Sequence, residues 1–377
     1  MGHIRDRWRD PARRGKGRRW QVRYQVDGRE RDGGSFEVKA VAQRKLVELE
    51  SAVQRGAWVD PTDQTTVTEL VRAHAATRMH KPSTARRVES VIRNHVEATP
   101  LGARRAATVR PSEAQAWIND RSTVLAPLTL RYLVTMVRSV YAAAVLDRLV
   151  TVNPFARVTL PRVERARIVP LTVEQVASLA EQLSDQYRAL VVVQAGLGLR
   201  IGEALALRVC DVDFLRRTVR VEDQIDRHTR ERVPPKTPRS RRTMPLPDVV
   251  ATELARHIAA QAPAADGLLF HTRAGRPIAR EQYAGRAFLV AAKRAGLPDG
   301  TTTHDLRHHF ASLLLASGQS VIAVAELLGH ENATLVLTTY GHLMPGGDDL
   351  ARRAIDAAWK ATATAPEQAV TAQGRPE

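Results

Sequence analysis

His304-Asp-Leu-Arg-His-His-Phe310 is the stretch on which the reading of this chain turns. It opens a helix, and the three-residue spacing of His304 and Arg307 lets both face one spot at its N-terminus. An apolar run at Leu313–Leu315 carries the helix on, and Gly318 ends it. A second helix, Val321 to Leu328, leads to Gly329-His330. Ten residues further comes Tyr340, in Leu337-Thr-Thr-Tyr-Gly-His-Leu-Met344.

Two polar clusters lie upstream. Arg200 sits in Ala195-Gly-Leu-Gly-Leu-Arg-Ile-Gly-Glu203, where glycines allow close backbone packing and the Arg stands near a helix start, a place that favours an anion. Glu203 is within one helical turn and can hold the Arg side chain; taken alone, the pair also fits an ordinary helix. Lys236 sits in Pro234-Pro-Lys-Thr-Pro-Arg-Ser-Arg-Arg242, a turn or hairpin tip between strand-like segments, which alone also fits a basic surface loop. Together, two Arg, one Lys, two His and one Tyr make a toolkit for phosphodiester transesterification. The arginines neutralise non-bridging oxygens as charge builds on phosphorus. A histidine relays the tyrosine proton and the lysine protonates the leaving 5′ oxygen. Tyrosine, with an ordinary pKa of ~10, needs such a cationic field to attack. The bond would be stored as a 3′-phosphotyrosine, so neither ATP nor a metal is needed to reseal it, and no cofactor is expected. The rival reading is a metal site built on His304, His308, His309 and His330. No HExxH pattern occurs, and two arginines in the same patch repel a cation. His308 and His309 are read instead as helix-packing or DNA-backbone residues.

Composition agrees. The chain of 377 residues carries 57 Lys and Arg against 40 Asp and Glu, a formal charge of +17, which favours a polyanionic partner, nucleic acid first, though charge alone also fits an anionic membrane surface. Hydrophobic residues make up 44%, enough for a packed core. No uninterrupted apolar stretch approaches the roughly 18–20 residues of a membrane span, and Met1 to Arg19 lacks the apolar segment of a signal peptide. Cys210 is the only cysteine, which excludes an internal disulfide and a cysteine-based zinc cluster. The expected location is the cytoplasm, with the nucleoid, and no membrane partner.

Toward the N-terminus, residues 1–19 read as a disordered Arg-rich arm. Trp20, Val22, Tyr24 and Val26 alternate as a strand, Asp27-Gly28 turns a hairpin, and a second strand runs to about Phe36. A helix follows from Lys39 to Gln54, with Val41, Lys45, Leu46, Leu49 and Val53 near one face and Gly56 at its end. This is a β-β-α module at 1–60. Residues 65–155 read as all helical. Thr66 caps one helix. Ser83 or Thr84 caps another, with Val88, Val91, Ile92 and Val96 inward. Pro111 opens a third that buries Trp117 and Ile118. Leu128 to Leu146 forms a fourth, with Leu130, Leu133, Val134, Val137 and Val140/Tyr141 as its stripe. Arg86, Arg87, Arg93, Arg131 and Arg138 occupy polar faces. Residues 156–168 form a linker. A mainly α domain with a small antiparallel sheet follows at 169–360, with a Thr172/Gln175 capping box and strands at Thr218–Val221 and Leu268–Phe270. Residues 361–377 read as a flexible tail. DNA-contact candidates are Arg18, Arg19, Arg23, Arg86, Arg87, Arg131, Arg239 and Arg241.

The string His304-Asp-Leu-Arg-His-His-Phe-Ala-Ser312, then Leu328-Gly-His330, then Tyr340-Gly-His-Leu-Met-Pro345, resembles the tyrosine recombinase (phage integrase) family. Gly198-Leu-Arg200-Ile-Gly-Glu203 resembles its first box and Lys236-Thr-Pro-Arg-Ser its lysine hairpin. The resemblance implies that Arg200, Lys236, His304, Arg307 and His330 activate the phosphate, that Tyr340 is the nucleophile, and that Glu203 supports the first arginine. It implies a core-binding domain at 65–155 that clamps DNA together with the catalytic domain. The N-terminal module is similar to the arm-binding domains of integrases from phages and integrative elements, which favours integration and excision over chromosome-dimer resolution. The partners so implied are double-stranded DNA attachment sites, a homotetramer on DNA, an excisionase and a host DNA-bending protein. A helix from Leu350 to Lys360, carrying Ile355 and Trp359, is either exchanged between neighbours or docked on its own domain. Two other readings stay open: a non-catalytic sequence-specific DNA-binding regulator, and a type IB-like topoisomerase.

Overall fold

A computed structural model describes residues 2–56, 58–163 and 167–343, together with Arg352, Ile355, Asp356, Ala357 and Trp359. The chain divides into two compact units, Met1–Arg165 and Ala166–Glu377.

The first unit opens with three antiparallel strands in the order β1 (His3–Asp6), β2 (Trp20–Val26) and β3 (Arg29–Phe36). Asp27 and Gly28 both have positive φ, 47° and 76°, so the β2–β3 turn has the primed geometry that matches strand twist. The disordered arm expected for residues 1–19 is corrected, and the module is β-β-β-α. His3 pairs with Arg23 and Asp6 with Trp20, while Asp6 and Asp10 accept the N–H groups of Trp8 and Ala12 at two short 3₁₀ turns. Arg19 explains why so basic a segment orders. Its Nε and Nη2 donate to Asp6, and its guanidinium lies 5.5 Å from the Trp8 ring centre and 4.7 Å from that of Trp20. A four-residue strand is too short for its periodicity to stand out from a run of arginines.

Helix α1 (Lys39–Gln54) covers the sheet and ends at Gly56, whose φ is 65°. Of the face expected to pack, Lys45, Leu46, Leu49 and Val53 are half-buried, but Val41 is exposed and the fully buried position beside it is Ala42. Helices α2 (Val67–Thr77), α3 (Pro82–Ile92), α4 (Pro111–Ser122) and α5 (Pro127–Leu146) then form a separate core that includes Val88, Ile92, Val96, Trp117, Ile118 and the α5 stripe from Leu130 to Tyr141. Thr66 and Glu69 close a capping box on α2. Helix α3 starts at Pro82 instead of after Ser83 or Thr84, because proline's fixed φ suits the first helical position. One helix is long and apolar enough to match a membrane span although Arg131 and Arg138 interrupt its apolar stretch. By length and composition α5 qualifies, but its apolar stripe is spent on the core of this unit.

In the second unit, Thr172 and Gln175 cap α6 (Val173–Glu181) reciprocally. Helix α7 (Asp185–Leu197) is buried on nearly every side and packs against α6, α9 and α12. It is followed by α8 (Ile201–Ala204), β4 (Val212–Asp213), β5 (Thr218–Val221), β6 (Gln224–Ile225), β7 (Arg232–Val233) and β8 (Arg242–Pro245). Strands β4, β5 and β8 form one antiparallel sheet and β6–β7 a separate hairpin. The remaining helices are α9 (Asp248–Ala260), α10 (Arg280–Gln282), α11 (Phe288–Arg294), α12 (Thr303–Ala316), α13 (Val321–Leu328) and α14 (Ala333–Tyr340). The strand expected at Leu268–Phe270 is replaced by a single bridge between Leu268 and Arg208; Leu269 and Phe270 go into the core. Of the expected helix from Leu350 to Lys360, the five described residues are helical and exposed. The tail at 361–377 and residues 164–166 of the linker lie outside the described residues.

Candidate active site

Helix α7 ends at Gly198 in the left-handed conformation, φ 61°, which turns the chain so that Arg200 stands at the start of α8. A Cβ on Gly198 would lie 2.3 Å from Cδ1 of Phe310, so only glycine lets α12 come this close. Glu203 closes back on Arg200, accepting its backbone N–H at 3.1 Å and its Nη1 at 2.8 Å. The oxygen that takes the Arg200 backbone N–H, Oε2, also accepts from Nη2 of Arg242 at 3.0 Å. Burial pushes the Glu203 pKa up, but Arg242 and Arg200 outweigh it and hold the carboxyl below the usual glutamate range.

Arg242 was not singled out by the sequence reading. Its Nε donates to the Leu327 carbonyl at 2.6 Å and its Nη1 to the Ser240 carbonyl at 2.9 Å. It thereby fastens the end of the Lys236-bearing segment to the end of α13. Gly329 permits this contact, because a Cβ there would sit 3.1–3.3 Å from Arg242, Ser240 and Arg239. Lys236 itself is exposed on a bend between β7 and β8. The expected hairpin tip is instead Asp226–Glu231, where Asp226 accepts the N–H groups of His228 and Thr229.

Thr302 and Asp305 cap α12 and fix its first turn. Arg307 is only 2% exposed. Its Nη1 donates to the Gly198 carbonyl at 2.7 Å, and its Nη2 to the Leu328 carbonyl at 2.6 Å and to Nε2 of His330 at 2.8 Å. One guanidinium therefore joins the first box, the α12 box and the His330 box. Burial and the nearby Arg200 weaken its hold on the proton, yet it stays charged at neutral pH. His330 is pushed down to about 4 by burial, Arg307, Arg200, His304 and Arg242. It is neutral at pH 7. Since Nε2 accepts from Arg307, the ring proton belongs on Nδ1, which has no hydrogen-bond partner among the described residues. His304, at the solvent-facing start of α12, is likewise lowered by desolvation of its ring, His308 and Arg307.

Tyr340 ends α14 and is 3% exposed. Burial pushes its hydroxyl up to about 12, with Arg307 pulling the other way and Asp305 adding to the rise. The hydroxyl meets Nδ1 of His308 at 2.5 Å. His308, expected to pack or to meet the DNA backbone, thus bonds across to the tyrosine at the end of α14. Its distance from Arg307 is one residue, and only the approach of α14 reveals the tyrosine beside it. His309 does pack, its Nδ1 donating to the Leu171 carbonyl at 2.7 Å. Among the described residues, no group of three or more His, Cys, Asp or Glu side chains is placed to hold a metal ion.

The structure thus draws Arg200, Glu203, His304, Arg307, His330 and Tyr340 into one electrostatic neighbourhood. The DNA-contact candidates are spread more widely. Arg19 is engaged with Asp6, Arg23 with Glu30 and Asp32, and Arg18 with the Ser35 carbonyl. Arg86, Arg87 and Arg131 are exposed, Arg87 lying over the Tyr132 ring. Arg239 donates to the Glu331 carbonyl, and Arg241 lies 4.0 Å from Glu222.

Residues 164–345 match the model of the phage integrase family. A tyrosine recombinase XerC-like protein of Caldanaerobacter subterraneus is 25% identical over 346 residues, 81% of this chain and 86% of the relative. A putative prophage phiRv2 integrase of Mycobacterium tuberculosis is 26% identical over 347 residues, 88% and 90% of the two chains. Among solved structures, the integrase of transposon Tn1549 bound to a circular intermediate DNA matches with a TM-score of 0.69 at 26% identity, covering 78% of this chain and 99% of that one. A lambda integrase tetramer on a Holliday junction shares the fold, with a TM-score of 0.59 at 18% identity over 83% and 94% of the chains.

Proposed function

We propose, from the premise that this chain belongs to the phage integrase family of tyrosine recombinases, that it cuts and rejoins DNA through Tyr340 to integrate or excise a mobile element. In this reading Arg200 and Arg307 neutralise the non-bridging oxygens of the scissile phosphate while Tyr340 attacks phosphorus. Lys236 donates a proton to the departing 5′ oxygen. His304 and His330 complete the phosphate contacts, and Glu203 keeps Arg200 in place. The observation that carries the reading is the convergence of Arg200, Arg307, His330 and Tyr340 from segments up to 140 residues apart, with Arg307 bonded to two of the boxes. A guanidinium as buried as that of Arg307 is costly as packing alone, since desolvating it takes several kcal/mol.

In the same reading the N-terminal module, residues 1–60, engages arm-type DNA sites and residues 65–155 the core site. The working assembly is a homotetramer on two attachment sites, assisted by an excisionase and a host DNA-bending protein, in the bacterial cytoplasm. The similarity to a putative prophage integrase and to a transposon integrase supports a mobile element as the cargo.

The test is covalent trapping without added metal. A nicked duplex carrying the chain's binding site, chosen from a random-sequence pool by binding to the Tyr340→Phe variant, is incubated with each protein and run on a denaturing gel. The expected outcome is an adduct for the wild-type chain and none for Tyr340→Phe. Specific binding without any adduct would favour the regulator, and an adduct surviving in Tyr340→Phe would remove Tyr340 from the nucleophile's place.

A further inference from the structure

Resting on the reading of Tyr340 as nucleophile, we propose that His308 is a further catalytic residue: it holds the Tyr340 hydroxyl and takes its proton as the oxygen attacks. The contact between His308 Nδ1 and the hydroxyl is 2.5 Å, and the two rings meet edge to face at 5.5 Å. The other three histidines of the neighbourhood are otherwise engaged. His330 receives Nη2 of Arg307 on Nε2, His309 is bonded to the Leu171 carbonyl, and His304 lies against the edge of His308 at 4.7 Å. The backbone under His308 is fixed as well, because its carbonyl accepts from Ser312 Oγ and the first turn of α12 is capped by Thr302 and Asp305.

The electrostatic setting suits a proton acceptor. Burial lowers the His308 pKa, with Asp305 opposing and Arg307 reinforcing, so the ring is neutral and its lone pair available at physiological pH. Those two residues, His304 and Tyr340 are the titratable groups that face it. Tyr340 cannot ionise unaided near neutrality, since its own pKa is pushed up to about 12. In the step itself the Tyr340 O–H bond breaks and the proton passes to His308 Nδ1. The new P–O bond to Tyr340 forms as the P–O5′ bond breaks, and the electron pair leaves on the 5′ oxygen, which is protonated by the general acid assigned above to Lys236. Resealing runs the same transfers in reverse, with His308 returning its proton to the tyrosine.

The experiment measures single-turnover adduct formation on the nicked duplex described above, from about pH 6 to pH 10, where base catalysis by an imidazole and by hydroxide separate. For His308→Ala the adduct is expected to form about 10²–10⁴-fold more slowly than in wild type. Its log rate should climb with pH at a slope near one, and added imidazole should restore part of the rate. His308→Asn keeps an acceptor near the Nδ1 position but cannot take a proton, so it is expected to stay slow with the same pH slope. Both variants are first matched to wild type for duplex binding, and Asn carries the test if Ala does not fold. Three results would overturn the proposal: an Ala variant as fast as wild type, an Asn variant restored to the wild-type rate, or a slow variant indifferent to both pH and imidazole. Failure of the wild-type chain to form any adduct would instead remove the parent reading of Tyr340.

Discussion

Arg307 shows how much of the site is decided by single side chains. It is among the largest side chains buried to 2% or less, and it spends its donors on two carbonyls and a histidine. The sequence made it a candidate through its three-residue spacing from His304, but that spacing says nothing about Gly198 or Leu328. His330 belongs to the same group and gives a pH prediction. Its pKa falls from 6.5 to about 4 in the folded chain, so as pH drops the unfolded state takes up the proton first. The associated stability is full above 6.5 and is lost between 6.5 and about 4. His304 adds a loss of the same sign. The thermal midpoint of the wild-type chain should therefore fall over that window, and His330→Asn should flatten part of the fall. Parallel curves for the two proteins would mean that His330 does not titrate this way.

At the scale of elements, two joints set the geometry: the α7–α8 turn at Gly198 and the clamp that Arg242 makes between β8 and the end of α13. Gly198→Ala would bring a Cβ to 2.3 Å from Phe310 at a φ of 61°. The left-handed conformation alone costs an alanine about 1–2 kcal/mol, and the clash adds to it. The expected result is a lower unfolding midpoint in urea, part of which Phe310→Leu should return, since the two positions share one contact. Arg242→Ala removes the donor to the Leu327 carbonyl and leaves the buried Glu203 carboxylate with Arg200 as its remaining guanidinium partner. A loss of about 1–3 kcal/mol is expected in the same assay. Arg242→Lys should recover little, because an ammonium cannot fork to three separate acceptors. Full recovery by Lys would show that charge, and not the fork, holds the segment. The cap at Thr66 and the capping box at Thr172 are legible in a few consecutive residues, whereas β1 and the β6–β7 tip carry no such local signal.

At the scale of the whole molecule, the two units carry separate cores, one around α5 and one around α7. The formal charge of +17 belongs to the chain as a whole. It predicts DNA affinity that falls steeply with salt, with a log–log slope of about −0.9 for each phosphate neutralised. A titration from low to physiological salt on the selected duplex checks this; a flat response would count against DNA as the partner. Part of the positive charge is already answered internally at Arg19 and Arg23, so the slope should report fewer phosphates than the Arg count suggests.

Residue order alone determined the helical segments, the β2–β3 hairpin, the family resemblance and the identities of the six groups expected at the phosphate, because periodicity, caps and boxes are contained within a few consecutive residues. It did not determine which groups touch. The His308–Tyr340 contact spans 32 residues, the Arg242–Glu203 pair 39, and the Arg307–Gly198 bond 109. Such contacts depend on how close one helix can come to another, and two glycines without a Cβ set that distance at Gly198 and Gly329. Only the folded chain, in which burial raises the energy of every unpaired charge, decides which arginine answers which carboxylate and which histidine meets the tyrosine.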